Sequence, residues 1–91
     1  FKLTHKAKKD LLQIAKYTGA QWGKTKRNIY IKQFDDTFHL LSENSGLGKK
    51  CDYIKTGYRR FPQGSHIIFY KIGSTSNSEI IRILHKRMMS L

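Results

Sequence analysis

The apolar positions near the start of the chain repeat with a helical period. From Thr4 to about Thr18 they follow intervals of three and four residues, through Ala7, Leu11, Ile14, Ala15 and Thr18. The lysines of this segment fall mostly off that stripe, as they do on the solvent face of an amphipathic helix. Thr4 is placed to cap the start of the helix, and Gly19 is predicted to end it.

A second stretch returns to the same period after a short break. Its apolar face consists of Tyr30, Phe34, Thr37, Phe38 and Leu41. Two consecutive helices predict a helical hairpin. The alternating run FKLT before them predicts one brief strand, because Phe1 and Leu3 would share a face while Lys2 points away.

The second half of the chain changes to strand-like runs. Residues 44–57 are polar and show no sustained period, which predicts a connecting loop, anchored to the core by Leu47, Tyr53 and Ile54. The runs YRRF, HIIFYKI and EIIRILHK predict strands, separated by turns at 62–64 and 73–78. The predicted order is β-α-α-β-β-β. This is an α+β fold in one domain, residues 1–91, with a helical hairpin packed on an antiparallel sheet whose other face stays open.

The charge balance narrows the class of partner. The 91 residues include 18 Lys and Arg against 6 Asp and Glu, a formal net charge of +12. Such a domain attracts nucleic acid, acidic lipid or an acidic protein, and charge alone does not choose among them. No apolar run approaches the roughly 18 to 20 residues of a membrane span. With one cysteine and no signal-like segment, a soluble protein of a reducing cytoplasm is expected.

Residues that could carry catalysis form no recognisable set. Asp35 and Asp36 are adjacent, and neighbouring helix positions point about 100° apart, which favours solvated charges over an acid–base pair. Cys51 has no identifiable orienting base, so a packed or surface thiol is favoured over a nucleophile. Metal-ligand spacing is absent among the four histidines, which are His5, His39, His66 and His85. No metal, cofactor or catalytic residue is therefore predicted.

Aromatic and basic residues admit more than one interpretation. Four aromatic residues could form a platform on which bases stack; they are Trp22, Tyr30, Phe34 and Phe38. Their near-helical spacing favours packing in the core instead. An antiparallel sheet could also bring together the basic residues Arg59, Arg60, Arg82, His85, Lys86 and Arg87. Because side chains alternate along a strand, Arg60 lies on the other face of the sheet from Arg59, and Arg82 on the other face from His85. Only a subset of these residues can therefore converge. Such a subset suits RNA cleavage, binding of an acidic peptide, or a solvated edge.

Longer motifs resemble a known family. The block GYRRFPQGSHIIFY, followed by IIRILHKRM, is similar to ParE-type toxins of bacterial toxin–antitoxin systems. Earlier stretches agree in the same order: DLLQIAKYT, WG, YIKQF and LGKKCDYIKTG. The resemblance covers essentially the whole chain. It implies the RelE/ParE fold, which agrees with the element order derived from the pattern.

The resemblance implies two functional classes. ParE-like toxins bind DNA gyrase and trap its cleaved DNA intermediate, whereas RelE-like toxins cleave messenger RNA at the ribosome. Where RelE-like nucleases have an arginine after the hairpin glycine, this sequence has His66, which is not a permanent cation. Their C-terminal arginine is matched by Arg87 and a strand lysine roughly by Arg59, but their catalytic tyrosine would fall beyond Leu91. Gyrase poisoning, which needs no catalytic residue, is therefore favoured over RNA cleavage and over a binding-only module.

The resemblance also implies partners. These are DNA gyrase, DNA reached through gyrase, and a ParD-like antitoxin, an acidic chain that folds on the toxin and binds operator DNA with its other end. No metal, cofactor or membrane is implied. The candidates for contact with gyrase or DNA are Arg82, His85, Lys86, Arg87 and Arg59. The candidates for contact with the antitoxin are Tyr58, Arg60, Phe61, Ile67 and Phe69.

Overall fold

Two long helices and five strands make up the part of the chain that the structure, a computed structural model, describes: residues 1–75 and 77–89. The short strand β1 (Lys2–Leu3) precedes the helices α1 (His5–Trp22) and α2 (Lys24–Glu43). The remaining strands are β2 (Lys49–Lys50), β3 (Arg59–Gln63), β4 (His66–Ile72) and β5 (Ser78–His85). A 3-10 turn, Lys86–Met89, follows β5. The predicted α+β class and its helical hairpin are confirmed. None of the described helices is long and apolar enough to cross a membrane.

The five strands form one sheet in the order β1-β5-β4-β3-β2. The predicted antiparallel meander is confirmed for β3, β4 and β5. The sheet as a whole is mixed, because β1 runs parallel to β5, with Leu3 opposite Ile80. The segment predicted as a loop contains β2, whose Lys49 and Lys50 pair with Arg60 and Arg59. A strand of two residues is too short to produce a detectable period, so the pattern could not reveal it.

The core lies between the helical hairpin and one face of the sheet. Its buried side chains are Ala7, Ile14, Phe34, Phe38, Leu41, Ile68, Tyr70, Ile80 and Ile83. Core packing is confirmed for Phe34 and Phe38, and Tyr30 packs half-buried against them. It is wrong for Trp22, whose side chain ends α1 and remains 63% exposed.

The first helix ends later than the sequence predicts. It continues through Gly19 to Trp22 and ends at Gly23, where the backbone needs a φ of 91° that favours glycine. Gly19 serves the packing of the two helices instead, because a Cβ there would lie 3.2 Å from Cδ of Arg27 on α2. Both glycines are therefore used, but the second one forms the helix end.

The segment between α2 and β3 is held by polar contacts and not by the predicted anchors. Leu47, Tyr53 and Ile54 are exposed, so that prediction is wrong. The hydroxyl of the fully buried Tyr70 accepts the N–H of Gly48 at 2.8 Å and donates to the carbonyl of Ser45 at 2.7 Å. Cys51 is also fully buried, and burial raises the pKa of its thiol. Of the two placements predicted for this thiol, packed or at the surface, the structure shows the packed one.

Replacing Gly48 by alanine is expected to destabilise the fold. A Cβ at this position would lie 2.6 Å from Cε1 of Tyr70, a ring that the core holds on every side. We expect the free energy of unfolding to fall by about 1 to 3 kcal/mol, measured by urea denaturation followed by circular dichroism. Gly46→Ala is the matched control, because nothing lies within 4 Å of a Cβ there. Equal effects of the two substitutions would contradict this account.

Candidate functional site

Two histidines meet at one end of the sheet. Strand register places His66 opposite His85 on the neighbouring strand. Their ring centroids are 5.1 Å apart and the rings are nearly perpendicular. Both lie on the helix face, because the next pair on that face, Ile68 and Ile83, belongs to the core. The predicted separation of Arg82 and His85 onto opposite faces agrees with this register.

Tyr30 of α2 fixes the turn that leads into this histidine pair. Its hydroxyl lies 2.7 Å from Nδ1 of His66, donates to the carbonyl of Gln63 at 3.2 Å and accepts the N–H of Ser65 at 3.2 Å. Gly64, with a φ of 56°, completes the turn, and a Cβ there would lie 2.6 Å from the same hydroxyl. The turn therefore depends on a glycine and on a tyrosine from a distant helix.

Burial favours the uncharged forms of His66 and Tyr30. It lowers the pKa of His66, and the neighbouring His85 lowers it further. Burial raises the pKa of the Tyr30 hydroxyl. The described residues include no group of three or more His, Cys, Asp or Glu placed to hold a metal ion. His66 and Tyr30 thus supply hydrogen bonds rather than fixed charge.

An open groove lies above the histidine pair, between α1 and α2. We call it the helix groove; its volume is about 750 Å³ and its walls include Tyr17, Trp22, Ile29, Tyr30, His66 and Met88. A second depression of about 430 Å³ shares His66 and His85 with it and continues beside α1 and β5. We call this the basic groove, because Lys6, Lys9 and Arg82 line it.

Asp10 connects α1 to the edge of β5 by hydrogen bonds. Its carboxylate accepts hydrogen bonds from Nε and Nη2 of Arg82, at 2.8 and 3.0 Å, and from the backbone N–H of Ile83, at 2.9 Å. The bond to Asp10 raises the pKa of Arg82 further above its usual value. Because β1 ends at Leu3, this part of the β5 edge has no strand partner, and the carboxylate takes that place.

The structure separates the residues predicted to contact gyrase or DNA. His85 lies in both grooves, and Lys86 and Arg87 follow it with exposed side chains. Arg82 is engaged by Asp10. Arg59 lies toward the opposite end of the sheet, opposite Tyr70, where its guanidinium donates to the carbonyl of Gly48 at 2.7 Å. Three of the five candidates therefore share one end of the sheet.

The residues predicted to contact the antitoxin divide between the two faces. Register places Phe69 on the outer face between Arg60 and Arg82, and Ile67 lies on the same face. Phe61 pairs with Ile68 and packs against the core on the helix face. The remaining candidate, Tyr58, precedes β3 and its carbonyl accepts the N–H of Cys51 at 2.9 Å. Contact with an antitoxin stays a prediction for all five.

The residues that shape the grooves were not predicted from the sequence. Tyr17 lies off the apolar stripe of α1, and its side chain is 65% exposed in the helix groove. An aromatic residue off the apolar stripe was the signal available in the sequence. Lys6 and Lys9 look like ordinary solvated lysines in the sequence. Asp10 carried no signal, because its partner Arg82 is 72 positions away.

The fold and site define a small basic α+β protein with open grooves at the end of its sheet. The family model for the ParE toxin of the type II toxin–antitoxin system parDE matches residues 1–90. The chain is 35% identical to Toxin ParE1 of Caulobacter vibrioides over 88 residues, which covers 97% of this chain and 90% of that protein. It is 30% identical to Toxin ParE1 of Mycobacterium tuberculosis, covering 94% of this chain and 88% of the relative.

A solved structure supports the same fold. The structure described as the chromosomal ParDE TA system from P. aeruginosa matches with a TM-score of 0.78 at 20% identity, covering 92% of this chain and 91% of that one. The chain belongs to the ParE toxin family of type II toxin–antitoxin systems. The family predicted from the sequence motifs is thereby confirmed.

Asp10→Asn is expected to weaken the attachment of α1 to β5. The substitution leaves Arg82 without its charged partner, and because Arg82 is partly solvated we expect a loss of about 1 to 2 kcal/mol in unfolding free energy. Urea denaturation measures it. The control is Asp36→Asn, which removes a solvent-exposed ion pair with Lys32 and should change stability little. If both variants lose the same stability, the edge contact does not have the role described.

The lowered pKa of His66 predicts a pH dependence of stability. In the unfolded chain His66 regains its usual pKa near 6.5, so below that pH the unfolded state binds more protons than the folded state. The stabilisation is therefore complete above about pH 6.5 and is lost as the pH falls through the lower folded-state pKa. We expect a smaller fall in unfolding free energy between pH 7.5 and 5 for His66→Asn than for the parent protein. Parallel pH profiles of the two would contradict the assignment.

Proposed function

We propose that this toxin inhibits DNA gyrase by stabilising its cleaved DNA complex and that a ParD-like antitoxin neutralises it. The observation that carries the proposal is the match to the ParE family over residues 1–90. Trapping an intermediate that another enzyme generates requires a binding surface and no catalytic group. The protein would act in the bacterial cytoplasm, where its target works.

The end of β5 is the proposed contact with gyrase or its DNA. His85, Lys86 and Arg87 follow one another there, and the two basic side chains after His85 are exposed. Cations near phosphates add affinity that decreases with salt. Arg82 lines the adjoining basic groove but forms an ion pair with Asp10. Arg59, which holds Gly48, is assigned a structural role in this proposal.

RNA cleavage of the RelE type is the second candidate, and the contacts give it less support. His66 stands where those nucleases have an arginine, and its lowered pKa keeps it neutral near pH 7. Arg59, the rough match to their strand lysine, donates to backbone carbonyls of the preceding segment. Neither side chain is therefore arranged as a free cation for a phosphorane-like transition state.

The outer face of the sheet is the proposed site for the antitoxin. Phe69 lies there beside Arg60, which combines an apolar side chain with a cation, whereas the guanidinium of Arg82 is bound by Asp10. An acidic, partly disordered antitoxin would complement Arg60 and the net charge of +12, which accelerates encounter. The toxin would then reach operator DNA only indirectly, through the other end of the antitoxin.

A gyrase assay tests the proposal. Purified protein is added to gyrase, ATP and relaxed plasmid, and we expect loss of supercoiling and the appearance of linear DNA after protein digestion. The double variant Lys86→Gln/Arg87→Gln should require roughly tenfold more protein for the same effect, since it loses two phosphate-facing charges. Addition of the antitoxin should restore supercoiling.

The control variant is Lys49→Gln/Lys50→Gln, which removes the same charge from β2 at the far edge of the sheet. Equal losses in both double variants would show a general charge effect and reject the contact at the end of β5. Intact supercoiling together with ribosome-dependent RNA cleavage would reject gyrase inhibition in favour of the RelE-type activity.

A further inference from the structure

Two aromatic side chains in the helix groove are unusually exposed. Trp22 is 63% exposed and Tyr17 is 65% exposed, and neither belongs to the core cluster. Nζ of Lys26, one turn into α2, lies 5.1 Å from the centroid of the Trp22 ring. Flat rings with a cation beside them suit a ligand that combines aromatic faces with negative charge.

The basic groove extends this surface with further positive charge. Lys6 and Lys9 line it, and Asp10 is the one acidic residue among the described residues that line either groove. That carboxylate is already engaged by Arg82. The two grooves share His66 and His85 in their walls, and the surface that they form together is net positive.

The combined surface is long enough for a polymer. Sixteen helical steps separate Lys6 from Trp22 along α1, a length of about 24 Å. Stacking surfaces lie at one end and cations at the other and along the margin. Proteins that bind single strands without sequence preference combine a basic groove with aromatic side chains in this way, over sites of roughly four or more nucleotides.

We propose that the helix groove and the basic groove together bind single-stranded nucleic acid. Bases stack on Trp22 and Tyr17, and phosphates lie near Lys6, Lys9 and Lys26. A duplex would present phosphates but hide its base faces, so unpaired strands are preferred. The proposal goes beyond gyrase inhibition and would give such a toxin a direct hold on unpaired DNA. It is measured without gyrase, so its failure and the failure of gyrase inhibition are separate results.

An acidic segment of a protein partner is the competing occupant of the same surface. Lysines attract both kinds of ligand, but an exposed tryptophan with a lysine beside its ring favours a ligand with its own flat rings. The two occupants differ in one measurable respect. Only a nucleic acid would bind in proportion to its unpaired bases.

The single tryptophan of the sequence makes the test direct, because Trp22 lies in the groove itself. Titration with a twelve-nucleotide oligo(dT) should quench its fluorescence, while the matching duplex should quench it far less. The affinity should decrease as salt increases. Absence of quenching by oligo(dT) would overturn the proposal. If the purified antitoxin quenched the fluorescence and oligo(dT) did not, the occupant would be an acidic protein segment.

Matched variants separate stacking from general charge, with binding followed by the anisotropy of a labelled oligo(dT). Tyr17→Leu should weaken binding about tenfold, as expected for the loss of one stacked base. Tyr53→Leu is its control, because Tyr53 is equally exposed but lies outside both grooves. Lys26→Gln should lower the salt slope by about 0.7. Its control, Lys32→Gln, alters an exposed lysine of the same helix outside the grooves.

All four side chains are exposed, so these substitutions should leave the fold intact, and thermal unfolding checks this. Equal weakening by Tyr17→Leu and Tyr53→Leu would reject stacking in the groove. Equal affinity for single strand and duplex would reduce the interaction to charge attraction and overturn the proposal.

Discussion

The carboxylate of Asp10 makes the contact on which the geometry of the site depends. Strand β1 covers the edge of β5 only as far as Ile80, and beyond it the backbone of β5 would face solvent unpaired. Thr4 takes the next position, since its hydroxyl caps α1 by accepting the N–H of Ala7 and donates to the carbonyl of Ile81. Asp10 then accepts the N–H of Ile83 and both donors of Arg82. The helix thus replaces a strand, and its position beside β5 creates the two grooves.

Two tyrosine hydroxyls perform related tasks at opposite ends of the sheet. Tyr70 holds the segment before β2, and Tyr30 holds the turn between β3 and β4. Each hydroxyl packs against a glycine, Gly48 or Gly64, and occupies the space that a Cβ at that position would need. In both places an aromatic ring, buried in Tyr70 and half-buried in Tyr30, packs in or against the core while its polar tip satisfies the backbone of an irregular segment. These contacts make the loops part of the rigid fold.

The same contacts determine which charges remain available to a partner. Arg82 and Arg59 are both held by groups within the fold, and His66 is kept neutral by burial. Positive charge near the grooves is therefore left mainly to lysines, which are Lys6 and Lys9 along α1 and Lys86 after β5. A protein arranged in this way is suited to binding anions over a surface. It is less suited to concentrating several cations on one reacting phosphate.

The local elements and the family could be predicted from the amino-acid sequence alone. Helical periods in the first half and strand runs in the second predicted the hairpin, the meander and the helical part of the core, because burial of one face imposes a repeat along the chain. The motifs around GYRRFPQGSHIIFY and IIRILHKRM were specific enough to indicate the ParE family. Such signals are local, so they survive without knowledge of the fold.

How these elements meet depends on contacts between segments that are distant in the sequence. Asp10 and Arg82 are 72 positions apart and Tyr30 and His66 are 36 apart, and no local repeat links such pairs. The exposure of Trp22 likewise depends on where α1 ends, which a backbone conformation at Gly23 sets and composition does not. A periodic pattern reports which side of an element is buried. The partner of each polar group is selected only when distant segments pack together, and that packing formed the grooves.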